Sequence, residues 1–346
     1  MGDQKMAKHF RLPAEWERHE ATWFSWPHDL ETWPKHLGEV EVCYIDMIEA
    51  LHQGEKVHIL VNDLASEEHV ADCLKERGIT KNFFIHQIET DSIWIRDYGP
   101  IFTKHSSGQI ALTDWTFNAW GNKYQKYKAD NEIPAQLAKI LKFQHFKIDM
   151  VLEGGSIEAN GKGTLLTTEE CLLNPNRNPF LNRQTIEQYL KDFLGVTKII
   201  WLEKGIAGDD TDGHIDEVAR FVGPNKILVG YEENPRALDY QAFQENWNRL
   251  KNATDQDEKP MELIPVPMPK KVEVSPTVLP TSYTNFYVGN SCVLVPIFGD
   301  PNDTKALGIL KDLFPARTVI GIPAIALIYG QGAIHCVTQQ EPIHAA

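Results

Sequence analysis

Five times along the chain, a helical pattern gives way to a short apolar strand and then to a polar loop rich in acids, glycine or histidine. This alternation restricts the fold more than any other feature, because strands separated by helices pack as α/β layers rather than as sandwiches or bundles. After an opening helix over 39–53 and a strand over 56–62, the first unit has a helix near 64–77, the strand NFFIHQIE and the loop DSIWIRDYGP. The second has a helix near 134–142, then HFKIDMVL and EGGSIEANG; the third has a helix near 183–194, then KIIWLE and GDDTDGHIDE. The fourth has a helix near 237–251, then MELIPVP and TSYTNFYVGNS; the fifth has a helix near 303–313, then RTVIGIP and GQGAIHC. The spacing is irregular, roughly 50–65 residues, and the units share little sequence. Two α/β architectures stay open: units set around an axis, each delivering its loop to one centre, or a single open sheet. No Pro/Gly/Ser-rich linker divides the 346 residues, and one domain over 1–346 is expected.

A hydrophobic content of 42% with 24% charged residues suits a soluble chain with a substantial core. The net charge of -14 disfavours nucleic acid and anionic membranes, which need a positive surface, and suits a small cationic partner. Five cysteines, an odd number with no CxxC pair, make neither a disulfide framework nor a zinc-finger spacing and fit a reducing compartment. The first residues lack a secretory apolar core, and no run approaches the ~20 apolar residues that span a bilayer. A cytoplasmic location is expected.

Cys336 closes GQGAIHC just after an apolar run. A free cysteine is most often a small buried hydrophobe, and that reading suits Cys43 and Cys73 on helical faces and Cys171 and Cys292 in strand-like runs. Around Cys336, glycines upstream and TQQ downstream make a poor core, and a nucleophilic thiol needs polar, partly accessible surroundings. The loop GDDTDGHIDE gathers Asp209, Asp210, Asp212, His214, Asp216 and Glu217. An EF-hand register fails, since it puts Gly208 and Ala219 at ligand positions, and no HExxH or cysteine pair supports a zinc site. A solvated acidic turn is the remaining plain alternative. If HIDEVARFV begins a strand, His214 and Asp216 face one side. In WIRDYGP, Arg96 and Asp97 read either as a surface ion pair or as site residues. In LEGGSIE, Glu153 precedes Gly154 and Gly155, which alone would read as a strand-ending turn. Together these loops supply a thiol, an imidazole and the carboxylates of Asp97, Glu153 and Asp216. That is more anionic charge than acyl transfer needs; it suits a cationic electrophile, and a planar guanidinium matches carboxylates bidentately.

WIRDYGP, LEGGSIE, GDDTDGHIDE and IHCVTQQEP occur in that order behind an opening PAEWERHEATWFSWPH. This set resembles the agmatine deiminases of the guanidine-modifying superfamily, within the peptidylarginine deiminase-like family, over about 13–342 of the chain. The resemblance implies a five-bladed, pseudo-symmetric α/β propeller, a pentein-type fan of ββαβ units around a central site. It also implies a homodimer or larger assembly, and hydrolysis of agmatine to N-carbamoylputrescine and ammonia without a cofactor or metal. Carried over by motif, Cys336 is the nucleophile that forms an S-alkylthiouronium, and His214 is the acid/base. Asp97 and Asp216 clamp the guanidinium, and Glu153 supports histidine and guanidinium. The family often has Gly-Gly-Gly-Asn where this chain reads Gly330-Gln331-Gly332-Ala333.

Beyond the motifs, Asp210 is expected as counter-ion to the substrate amine and Trp94 as cover for its methylene chain. An arginine-directed deiminase and a cofactor-free amidinotransferase would use the same machinery. The former calls for an arginine at the pocket mouth, for which Arg96, Arg177 and Arg220 are the candidates. A non-catalytic binder of cations and a metal-dependent hydrolase are further alternatives.

Overall fold

The computed structural model describes residue 7 and residues 9–274 and 277–344. Its strands form five sheets of three or four strands and one separate hairpin, Val272–Val274 with Thr277–Leu279. The class is α/β, as expected. In four of the sheets an antiparallel pair is followed by a helix that returns the chain to a parallel third strand. Ile101–His105, Ile110–Thr116 and Gln144–Val151 are joined through the helix Lys128–Leu141, with Phe10–Arg11 added at the edge. Ile157–Ala159, Thr164–Thr168 and Lys198–Leu202 use the helix Arg183–Leu194. Ala219–Gly223, Lys226–Tyr231 and Glu262–Pro267 use Tyr240–Lys251. Tyr287–Val288, Cys292–Ile297 and Thr318–Pro323 use Asp303–Leu313.

The remaining sheet is built from distant parts of the chain. Gln339–Pro342 pairs antiparallel with His19–Ser25, and the helix Leu37–Leu51 leads from there to the parallel strand Lys56–Val61. The helix Leu64–Glu76 then leads to Phe83–Gln87. Four of the five polar loops therefore run from the last strand of one sheet to the first strand of the next; the fourth follows the separate hairpin, and the fifth leads to Gln339–Pro342 beside His19–Ser25.

Local chemistry accounts for these elements. Arg183–Leu194 starts where Asn182 Oδ1 accepts the Thr185 N–H at 2.9 Å, and it stops at Gly195, whose φ of +64° closes the helix without a Cβ penalty. It buries Ile186, Leu190 and Phe193 along one stripe. Thr164–Thr168 is buried at every position, because a sheet covered on both faces leaves no solvent side. Leu37–Leu51 packs Val40, Tyr44, Met47, Ile48 and Leu51 into a cluster that also contains Trp23, Trp94, Tyr98 and Cys336. Each large apolar side chain buried this way contributes about 1.5–3 kcal/mol.

Two expectations need correction. The helix expected near 134–142 begins at Lys128, with Pro134 inside it. Its first turn persists because it is tied to the first polar loop: Asp130 Oδ1 accepts the Asp91 N–H, and Asp91 Oδ2 accepts the Ala129 N–H, both at 2.8 Å. Cys171 lies on the short helix Glu169–Leu172 rather than in a strand. Among the described residues no helix is long and apolar enough to cross a membrane.

Candidate active site

Cys336 stands on the single turn His335–Val337 at the floor of a cleft of about 880 Å³. The glycines before it serve close packing more than flexibility. A Cβ on Gly330 would sit 2.1 Å from the Trp33 ring, and one on Gly332 would sit 2.5 Å from the Trp94 ring. The left-handed position in this loop belongs to Gln331, at φ +74°. The thiol is more enclosed than expected, with Cys336 only 5% exposed. Its Sγ accepts an N–H from Asn285 Nδ2 at 3.3 Å and lies 3.9 Å from Asp216 Oδ2. Burial, followed by the nearby Asp216, Glu217 and Asp97 carboxyls, pushes the thiol well above its ordinary pKa.

Asp97 lies on the short helix Ile95–Tyr98, between the first and second sheets. Its Oδ2 accepts the Trp120 indole N–H at 2.9 Å and its Oδ1 accepts the Gly155 N–H at 3.1 Å. Burial raises its pKa to about 7; Glu153 adds to the rise, and the Trp120 and Gly155 donors oppose it. Trp120 reaches Asp97 from an unusual backbone: Ala119, Trp120, Gly121 and Asn122 all have positive φ, at 53°, 53°, 91° and 63°. Left-handed turns of non-glycine residues cost roughly 1–2 kcal/mol per residue. This one is held by Asn118, whose Oδ1 accepts the Gly121 N–H at 2.9 Å and whose Nδ2 donates to the Asn176 carbonyl at 3.0 Å.

Glu153 and Gly155 come from the second loop. Glu153 is fully buried, and its Oε1 accepts Arg177 Nε–H at 2.7 Å while Oε2 has no partner. Gly155 is the spacer between the acids and the imidazole. A Cβ there would lie 2.6 Å from His214 Nδ1, 2.7 Å from Asp97 Oδ1 and 3.0 Å from Asp216 Oδ2. Gly155→Ala is therefore expected to lower kcat/KM for the chain's substrate roughly 10²-fold, the scale of a misplacement near 1 Å, with the fold retained. Steady-state kinetics beside a melting curve check this; unaltered kinetics would show that the three groups can move apart freely.

His214 and Asp216 come from the third loop, but not by strand alternation. Ile215–Glu217 is a single tight turn, and the strand starts only at Ala219. The turn still brings both side chains against Gly155. His214 is 1% exposed and neither ring nitrogen has a hydrogen-bond partner; Nδ1 is 3.6 Å from Asp97 Oδ1. Burial, then Arg177, holds its pKa well below the ordinary value, which keeps the ring neutral. Asp216 Oδ2 faces His335 Nδ1 at 2.7 Å, and Asp216 Oδ1 is unpaired. Burial, then Glu217 and Asp97, drives the Asp216 pKa well upward.

A thiol, an imidazole and several carboxyls thus converge from four loops. The chain matches the family model for Porphyromonas-type peptidyl-arginine deiminases over residues 11–342. It belongs to that family. A relative from Legionella pneumophila (strain Paris) is 39% identical over 335 residues, covering 96% of this chain and 95% of that one. The agmatine deiminase of Pseudomonas fluorescens (strain SBW25) is 35% identical over 356 residues, covering 96% and 95%. The solved agmatine deiminase of Enterococcus faecalis superposes with a TM-score of 0.91 at 32% identity, covering 99% of this chain and 98% of that one.

For a member of this family, the placement of the other expected residues is informative. Trp94, 8% exposed, and Asp210 both line the cleft. Asp210 is already engaged: its Oδ2 accepts the Tyr124 hydroxyl at 2.6 Å, and Lys123 Nζ is 3.6 Å from its Oδ1. None of the three candidate arginines lines the cleft. Arg96 and Arg220 are paired with Glu15, and Arg177 with Glu153 and Asp212. Among the described residues, two trios place ligand-type atoms within 4.8 Å of one another and could hold a metal ion: Glu153, Cys171 and His214, and Asp216, Glu217 and Cys336. In the first, the charge of Glu153 is already met by Arg177.

Sequence reasoning missed Asn285, Trp120, Arg177 as partner of Glu153, and Gly155 as spacer. Asn285 had a signal: the fourth loop, TSYTNFYVGNS, was the one member of the repeat to which no site residue was assigned. Trp120 had none, because its contact with Asp97 depends on the left-handed turn.

Proposed function

We propose that this chain hydrolyses agmatine to N-carbamoylputrescine and ammonia, with Cys336 as nucleophile. The observation that carries this is the pair of carboxyls, Asp97 and Asp216, flanking Gly155 beside the Cys336 thiol. Two buried carboxyls with one unpaired oxygen between them suit a planar, doubly donating cation. The relatives named as agmatine deiminases support the same substrate. The cleft walls agree: Asp29, Glu31, Asp91, Asp97, Asp130 and Asp210 line it against a single lysine, Lys126. An amine at the substrate's far end is favoured there over the α-carboxylate of arginine.

Asp97 and Asp216 hold the guanidinium with its central carbon toward Cys336 Sγ. The bound cation favours the thiolate, and neutral His214 takes the thiol proton. Sulfur attacks, a tetrahedral adduct forms, and the His214 imidazolium returns the proton to the departing ammonia. This leaves an S-alkylthiouronium on Cys336. Neutral His214 then deprotonates a water that attacks the same carbon; collapse breaks the C–S bond, the adduct's hydroxyl proton passes through solvent to the released ammonia, and the His214 imidazolium reprotonates the thiolate as the ureido product leaves. Glu153, with Arg177 on one oxygen and the other open, lies within 4.8 Å of a His214 ring nitrogen and steadies the imidazolium. Trp94 covers the methylene chain.

Five sheets linked in turn, with the last strand completing the first sheet, support a five-bladed propeller around this site as one catalytic domain. Five unpaired cysteines support a cytoplasmic setting. A homodimer completes the proposal; Phe180, 97% exposed, is apolar surface that a partner subunit would cover.

Incubation with agmatine, and separately with arginine, following ammonia and ureido product, tests the function. Turnover of agmatine is expected; turnover of arginine alone would replace the substrate, and turnover of neither would overturn the reading. Because Asp210 is partly exposed and already paired, Asp210→Asn is expected to raise KM for agmatine by up to about fivefold, with kcat nearly unchanged. An unchanged KM would remove Asp210 from the amine subsite.

A further inference from the structure

His335, beside the nucleophile, is 1% exposed and has no part in the chemistry above. Both of its ring nitrogens meet carboxyl groups: Nδ1 lies 2.7 Å from Asp216 Oδ2, and Nε2 lies 2.8 Å from Glu15 Oε2. A neutral imidazole carries one N–H, and an ionised carboxylate has no proton to give. Making both hydrogen bonds therefore requires one extra proton. Either the ring is an imidazolium between two carboxylates, or it is neutral and one carboxyl is protonated.

The surroundings decide which carboxyl that is. Glu15 Oε2 also faces Arg220 Nη2 at 2.8 Å and Arg96 Nη2 at 3.6 Å, and Glu15 Oε1 accepts the Val288 N–H at 2.8 Å. The Arg220 and Arg96 charges, with the His335 ring N–H, oppose burial and hold Glu15 anionic. Asp216 is placed oppositely. Burial, then the charges of Glu217 and Asp97, and of Asp209, disfavour its anion, against the opposing pull of Arg220. Burial, then Arg220 and Arg96, disfavours an imidazolium at His335 against the opposing pull of Glu15. In the empty site the proton belongs on Asp216 Oδ2, donating to a bare Nδ1, while His335 Nε2–H donates to Glu15.

A guanidinium entering beside Asp216 reverses that preference. We propose that His335 is a positioning residue that stores this proton during substrate binding: the O–H bond at Asp216 Oδ2 breaks, an N–H bond forms at His335 Nδ1, and Asp216 becomes the anion that holds the substrate. No proton is exchanged with solvent and the charge of the pair is conserved. The crowded acids avoid mutual repulsion while the site is empty, and the clamp acquires its charge only under the cation. The inference rests on the proposed guanidinium chemistry.

Binding calorimetry with agmatine on the Cys336→Ser chain, in buffers of different ionisation enthalpy at one pH, counts protons released per ligand. Adding His335→Asn keeps a hydrogen-bonding group at the Nδ1 position but no proton acceptor of comparable basicity. The double variant is expected to release about one proton more per agmatine than Cys336→Ser alone. A purely structural role would weaken binding without altering the count, and equal counts would overturn the inference. A check needing no change at His335 is difference infrared spectroscopy on the Cys336→Ser chain. At a pH well above 7, where Asp97 is already ionised, agmatine should remove one protonated-carboxyl band and add one imidazolium band, and unchanged bands would overturn the inference. Absence of any agmatine binding to Cys336→Ser would instead overturn the proposed substrate, and this inference with it.

Discussion

Cys336→Ser is expected to lower kcat for agmatine by roughly 10⁴-fold or more while leaving agmatine able to bind. The thiol is the group beside the carboxyl pair that can form a bond to the guanidinium carbon and later leave it. In the proposed role, its surroundings favour sulfur over oxygen. Asp216, Glu217 and Asp97 raise the cost of any anion at this position, and an alkoxide, far more basic than a thiolate, would meet that cost on top of its own. Only when the cation is bound does the local field favour the ionised nucleophile. Ammonia release under saturating agmatine measures the effect, and Cys73→Ser, on the helix Leu64–Glu76, should behave as the unsubstituted chain. Activity of Cys336→Ser within about tenfold of normal would remove covalent catalysis from the proposal.

Asp97→Asn is expected to lower kcat/KM by roughly 10²–10³-fold, the scale of about 3–4 kcal/mol for breaking a buried ion pair by neutralising one partner. Part of the loss is geometric. Both Asp97 oxygens accept N–H groups, from Trp120 and from Gly155, and an amide must turn a donor toward one of them. The pH dependence follows with a definite sign. Burial raises Asp97 from its ordinary 3.8 to about 7 in the empty site. The carboxylate proposed to hold the substrate is present above about 7 and is lost as pH falls through that value. In the unsubstituted chain, kcat/KM should fall up to about tenfold per pH unit on the acid side. In Asp97→Asn that limb should be absent, and its persistence there would assign it to another group.

The residues that the structure brings together were legible in the order of the motifs. Asp97, Glu153, His214, Asp216 and Cys336 each stand in a polar loop after an apolar strand, and a local signal of that kind survives in a sequence. Helix boundaries were legible where caps mark them, as at Asn182 and Gly195. They were missed at Lys128, where the first turn is held by Asp91 on a different loop. The turn Ile215–Glu217 replaces the strand considered for HIDEVARFV, because period-two alternation over a few residues does not distinguish the two. His214 and Asp216 nevertheless meet at one point, Gly155, in the turn Gly154–Ser156 of another loop.

What the sequence by itself determined is the inventory: a thiol, an imidazole and paired carboxyls, each at a strand end, on an acidic chain with a repeating helix–strand order. What only the tertiary structure decided is the pairing. Gln339–Pro342 joins His19–Ser25 across nearly the whole chain, and Asn285 reaches Cys336. Arg177 is claimed by Glu153, while His335 bridges Asp216 and Glu15. The physical reason is one of range. Periodicity and capping are set by neighbours a few residues apart, whereas a buried ionisable group takes its charge from whatever the fold packs against it.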